Sequence, residues 1–146
     1  MRPSVARAPP RPLIGLSLSG IVRPGLEILT DDAGSGELVE HRKWYVFRFR
    51  VWLKRGDPVA WDHAWGTSGS RLEDGGKTLF TKARVDREFL YNGFFYTVLG
   101  MRVGGTRRVR IAPHLAFGAR GIEGVIPPNA LLTVECYCVE ACGDTG

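Results

Sequence analysis

The side chains that most often carry covalent chemistry are few in this chain and widely spread. Its three cysteines are Cys136, Cys138 and Cys142, and its three histidines are His41, His63 and His114. An odd number of cysteines does not fit a fully paired disulfide framework. Cys136 and Cys138 stand two apart, so on a strand they point to the same side, where a free thiol behaves as a small apolar group. The cysteines are read as core residues of a reduced, cytoplasmic protein. A metal site would need a fourth ligand, and no CxxC pair or paired-histidine spacing supplies one; no metal is expected. The histidines lie among polar residues and form no triad, so surface positions are expected for all three. The features left to explain are aromatic-rich segments and the loop from Gly118 to Asn129, with Val125-Ile126-Pro127-Pro128 at its centre.

The elements that must hold this loop are read from periodicity. Tyr45, Phe47, Phe49, Val51 and Leu53 alternate with Trp44, Val46, Arg48, Arg50 and Trp52, which predicts a half-buried antiparallel strand over 44–53. Arg55-Gly56-Asp57-Pro58 ends it as a turn. Further strands are expected at Leu26–Leu29, Leu79–Val85, Thr106–Ile111 and Leu131–Val139. In the last of these, Leu132, Val134, Cys136 and Cys138 face inward. Tyr91–Met101 is expected to be a short helix with Asn92 as its cap. The Gly/Ser/charge-rich stretch 63–77 reads as a long loop. Several antiparallel strands and one short helix place the domain in the α+β class, and no internal repeat is present.

The chain has 146 residues, a one-domain length, and a net charge of +5. No apolar run approaches the roughly 20 residues needed to span a bilayer. Residues 1–12 hold four prolines and three arginines and cannot bury enough apolar area to order themselves. Residues 1–19 are expected to be a flexible Pro/Arg-rich tail rather than a signal peptide, because Ser17, Ser19 and Gly20 break the apolar run that follows Arg11. The folded domain is expected over 20–142, with 143–146 as a C-terminal tail. A basic stripe of Arg42, Lys43, Arg48, Arg50, Lys54 and Arg55 lies near Trp44 and Trp52, but no nucleic-acid motif accompanies it.

One run of linked motifs is specific. Met101-Arg102-Val103-Gly104 leads to Arg108-Val109-Arg110-Ile111-Ala112-Pro113. Leu115-Ala116-Phe117-Gly118, Gly121, Gly124, Val125-Ile126-Pro127-Pro128-Asn129-Ala130 and a closing apolar strand follow. In order and spacing this resembles the C-terminal half of FKBP-type peptidyl-prolyl cis-trans isomerase domains, closely over about 93–139, less closely over 21–60 and poorly over 61–92. The resemblance implies an antiparallel sheet of five or six strands wrapped around one short helix, with an apolar pocket between them and no cofactor. The implied occupants are proline-containing peptides, unfolded proteins and macrolide ligands. Segment 63–77 then looks like an insertion near the pocket rim.

Residue by residue, the resemblance puts Phe94 at the pocket floor in place of Trp, and Phe117 in place of the Tyr that follows the loop's Ala. Ile126, with Ile122 and Val125, lines the loop over the pocket. Leu90 and Tyr91 match the wall's Val-Ile pair, Val134 replaces a Phe, and Phe49 replaces a Tyr. Asp62 matches the family's Asp after an aromatic only if two residues are inserted; otherwise Val59-Ala60 falls there. Phe94, Phe117 and Ile126 are the implied catalytic residues, and the others bind substrate. Such a pocket needs no nucleophile: an apolar site penalises the planar, charge-separated amide more than the twisted one. The expected activity is therefore isomerisation of X–Pro bonds, with a helper role in protein folding. The alternative is a catalytically weak or inactive binding domain, with the Arg48, Arg50, Trp44 and Trp52 face as its interface.

Overall fold

A computed structural model describes residues 20–64 and 69–143. The expected N-terminal tail, residues 65–68 of the expected insertion and residues 144–146 lie outside this description. The strands are β1 (Gly20–Arg23), β2 (Leu26–Asp32), β3 (Trp44–Leu53), β4 (Arg71–Glu73), β5 (Thr78–Arg84), β6 (Thr106–Ile111) and β7 (Leu132–Gly143), and the helix is α1 (Asn92–Val98). They form one antiparallel seven-stranded sheet in the order β1-β2-β6-β7-β3-β5-β4, with α1 packed on β6 and β7. The count exceeds the expected five or six because two very short edge strands, β1 and β4, join the longer ones.

The alternation in β3 converts directly into burial. Tyr45, Phe47, Phe49 and Val51 are buried, and across β7 they face Ala141, Cys138, Cys136 and Val134. Val109 and Ile111 of β6 continue this surface opposite Val134 and Leu132. Phe94 and Val98 of α1 close it from above. Each fully buried aromatic or aliphatic side chain contributes about 1.5–3 kcal/mol. On the other face the arginines are engaged within the sheet. Arg48 lies over the Tyr137 ring at 4.8 Å, Arg108 over Trp52 at 4.7 Å, and Arg50 pairs with Glu135 at 4.0 Å.

Four local expectations are corrected. Part of the 63–77 loop is strand: Arg71–Glu73 pairs with β5 and returns through a tight turn at Asp74–Gly76. Three residues are too few for alternation to show. Helix α1 is shorter than Tyr91–Met101, because the chain is already extended at Leu99 and turns at Gly100. Asn92 does not cap it; its Nδ2 donates instead to the His114 carbonyl at 3.2 Å, which ties the helix start to the β6 exit. β7 also runs past Val139 to Gly143, helped by two register shifts against β3.

One inward position on β6 is charged. Arg107 is 4% exposed, and its Nε and Nη2 donate to the Asp31 carboxylate, both at 3.2 Å. Its Nη1 donates to the Thr97 and Leu99 carbonyls at 2.9 and 2.6 Å, at the C-terminal end of α1. The helix end therefore finds its partners on the sheet, where helix carbonyls would otherwise be left without donors. Arg107→Met is expected to cost about 3–5 kcal/mol, since it strands a buried carboxylate. Urea denaturation of the variant and of the Arg107→Met/Asp31→Leu double variant checks this; the double variant should recover much of the loss.

Candidate active site

The turn after β3 begins the site. Leu53 N–H donates to Asp57 O and Val59 N–H to Val51 O, both at 2.8 Å, so the chain doubles back along β3. Val59 enters the core at 2% exposure, and Trp61 N–H then bonds Gly76 O at 2.9 Å. Val59 packs inward, and Trp61-Asp62 lines the cavity. On the opposite side, Ile122 N–H bonds Ile126 O and Ile126 N–H bonds Ile122 O, both at 2.8 Å. Gly121, at φ +64°, comes so close to the Ile126 carbonyl that a Cβ would clash with it. The closed turn fixes Ile122 at the rim. Gly93 brings α1 onto the β6 exit, because a Cβ there would meet Leu115 O at 2.6 Å.

Between these elements lies an almost wholly apolar cavity of about 240 Å³, lined by Trp61, Asp62, His63, Tyr91, Phe117 and Ile122. Its walls are aromatic. Tyr91 stacks on Phe117 with centroids 5.2 Å apart and planes 8° from parallel, and Trp61 meets Phe117 edge-on at 6.0 Å. Phe94 supports Phe117 from below at 6.2 Å, and Phe49 supports Phe94 at 5.2 Å. Edge and offset contacts of this kind add about 0.5–1.5 kcal/mol each beyond burial. Two grooves of about 550 and 540 Å³ flank the loop, one from Leu53 to Leu131 and one from Arg120 to Pro128. Both are larger but less enclosed and more polar than the aromatic cavity.

Of the residues singled out from the sequence, Asp62, Tyr91, Phe117 and Ile122 line the cavity. Phe49, Leu90, Phe94, Val134 and Ile126 are buried behind it. Val125 lies on the loop's outer groove. Trp61 and His63 are the additional lining residues. Trp61 carried a signal, the aromatic before Asp62; His63, expected at the surface and indeed exposed, carried none beyond its adjacency.

The polar edge of the cavity is Asp62 with His63, whose Oδ1 and Nδ1 are 2.6 Å apart, both side chains well exposed. Cys136 and Cys138 offer no nucleophile. Cys136 and Cys138 are fully buried, and burial pushes both thiols up, Cys138 to about 12. Thiols in this state are inert at neutral pH, because the thiolate is the nucleophile. Among the described residues, no three His, Cys, Asp or Glu side chains converge on a metal-ion position. What the site offers is an almost wholly apolar aromatic surface with a polar edge.

The comparisons with known proteins follow this geometry. The family model for FKBP-type peptidyl-prolyl cis-trans isomerase matches residues 54–137. A 77-residue stretch is 40% identical to FK506-binding protein 1A of Neurospora crassa, covering 50% of this chain and 62% of that protein. A 90-residue stretch is 34% identical to FK506-binding protein 4 of Chaetomium thermophilum, covering 60% of this chain and 18% of that one. The chain thus spans less than two thirds of the length of these relatives. The crystal structure of AtFKBP13 superposes with a TM-score of 0.62 at 22% identity, over 80% of this chain and 93% of that one. FkpA from Escherichia coli gives 0.59 at 23%, over 82% and 48%. At these identities the two structures establish the fold alone.

The buried thiols generate a test. A thiol held above its ordinary value of 9.0 keeps its proton in the folded state while the unfolded chain ionises, so its contribution to stability is intact below about pH 9 and is lost as the pH rises towards about 12. Denaturation midpoints should fall across that window, and less steeply in Cys138→Ala. At neutral pH, iodoacetamide should leave Cys136 and Cys138 unlabelled until the protein unfolds, which mass spectrometry reads directly.

Proposed function

The chain belongs to the FKBP-type peptidyl-prolyl cis-trans isomerase family, and we propose that it catalyses rotation about X–Pro bonds in peptides and unfolded chains at the Trp61–Tyr91–Phe117 cavity. The observation that carries this reading is a nearly all-apolar, aromatic-walled cavity between the helix entry, the β3 turn and the 118–129 loop. The barrier to be lowered is about 18–20 kcal/mol, set by conjugation of the amide, and uncatalysed exchange takes roughly tens to hundreds of seconds. A prolyl amide that leaves water for this cavity loses solvation of its charge-separated planar form. The twisted amide has less charge to solvate and loses less, so the barrier falls.

In this assignment Phe117 is the wall against which the prolyl ring packs, and Trp61, Tyr91 and Ile122 complete the contact. Phe94, Phe49, Leu90, Val134 and Ile126 act from behind by holding Phe117 and the loop in place. Asp62 is the polar group at the rim. The β4 turn joins the site through the Trp61–Gly76 hydrogen bond. The relatives' names make an FK506-type macrolide a second proposed occupant. The reduced, buried thiols suit a reducing compartment such as the cytoplasm, and no described helix is long and apolar enough to cross a membrane. A second reading, a binding domain with little turnover, is favoured by one observation: Phe49 and Phe94 are fully buried, which leaves the floor of the cavity shallow.

A protease-coupled assay on proline peptides with several preceding residues separates the two. An isomerase accelerates cis-to-trans conversion in proportion to its concentration, and Phe117→Asp should lower kcat/KM by at least about tenfold, since an unpaired carboxylate costs several kcal/mol in an apolar site. No rate above background with any peptide contradicts the isomerase reading.

A further inference from the structure

The rim of the cavity carries more information than the aromatic walls alone. The walls offer three ring faces or edges, and the polar groups that join them are Asp62 and His63. No lysine or arginine lines the cavity. His63 Nδ1 lies 2.6 Å from Asp62 Oδ1. The Asp62 side chain is largely exposed, so its remaining carboxylate lone pairs are open to a second donor. On the adjoining loop, Arg120 and Glu123 flank Gly121 and Ile122 and are of opposite sign. Among the described residues, Asp62 is the one carboxylate lining the cavity, although the whole chain has a net charge of +5.

We propose that the Asp62–His63 rim, with the Tyr91 and Trp61 rings, makes this site selective for peptides carrying lysine or arginine immediately before the proline. This rests on the isomerase reading of the cavity and names the substrate class within it. The prolyl ring fills the space against Phe117, and the side chain that precedes it lies across the rim. A lysine or arginine there lays its methylene stem on the aromatic surface and keeps its charged end in water beside Asp62. A cation over an aromatic face gains further attraction from the ring quadrupole. A glutamate at the same position meets Asp62 as a like charge. Asp62 and His63 are specificity-determining residues on this account; neither performs the rotation.

The test compares Ala-Lys-Pro-Phe, Ala-Leu-Pro-Phe and Ala-Glu-Pro-Phe peptides with the full chain at pH 7.5 and low salt, by turnover and by calorimetric binding. The lysine peptide should exceed the glutamate peptide in kcat/KM by about tenfold, the range of one cation–ring contact plus a rim charge. Asp62→Asn should bring that ratio close to one, and added salt should compress it in the wild type. Turnover on all three peptides at nearly equal kcat/KM overturns the rim assignment and leaves the isomerase reading standing. No turnover on any peptide, with the lysine peptide still bound more tightly than the glutamate one, overturns the isomerase reading and keeps the rim. A ratio that survives Asp62→Asn unchanged also overturns the assignment.

Discussion

The buried guanidinium of Arg107 joins the helix to the sheet by charge, and the cavity inherits its position from that joint. Arg107 sits on β6, takes the Asp31 carboxylate of β2 and donates to two carbonyls at the end of α1. A seven-residue helix is too short to hold its own shape in water. Here its C-terminal end is fastened by hydrogen bonds to a charged donor, and its N-terminal end by Asn92 to the His114 carbonyl. With both ends fixed, Phe94 has one place to go, between Phe49 and Phe117. Phe117 in turn has one place, against Tyr91 and Trp61. The aromatic wall is the last member of a packed series that starts at a salt bridge.

On the proposed reading, that series lets a site without a usable nucleophile act on an amide. The catalytic demand is unequal solvation of two conformers of one bond, and no bond is made or broken. Surface that excludes water meets this demand, provided it does not move. The stacking of Tyr91 on Phe117 and the paired hydrogen bonds of the Ile122–Ile126 turn oppose such movement. The resemblance puts a tyrosine where Phe117 stands, and its missing hydroxyl would remove one hydrogen bond to a bound carbonyl, about 0.5–1.5 kcal/mol. That is small beside the desolvation on which rotation depends, so the aromatic surface carries the larger share of the effect.

Much of this architecture is legible in the sequence, and the exceptions have physical reasons. Strand β3 is readable to the residue because ten positions alternate without interruption. The loop from Gly118 to Asn129 is readable because Gly118, Gly121 and Gly124 all take positive φ, and Gly121 leaves no room for a Cβ. Arg107 looks like another surface arginine among Arg108 and Arg110; only its parity on β6, shared with Val109 and Ile111, marks it as inward. Trp61 rather than Val59 lines the cavity because the hairpin at Leu53–Val59 turns Val59 into the core, and no local pattern measures the depth of a turn. β4 escapes because three residues carry no period. The burial of Phe94 and Val134 behind the cavity, rather than on its surface, depends on how far each ring reaches from its backbone, which only packing decides.

The central claim is that the Trp61–Tyr91–Phe117 cavity is where a prolyl peptide sits. The most direct measurement is a ¹H–¹⁵N titration of the labelled chain with an X–Pro peptide. Saturable shifts should cluster at the Trp61 indole and the amides of Asp62, Tyr91, Phe117 and Ile122, while the Trp44 and Trp52 indoles on the opposite face of the sheet stay still. Shifts confined to Trp44, Trp52 and their arginine neighbours, with Trp61 unmoved, would contradict the account.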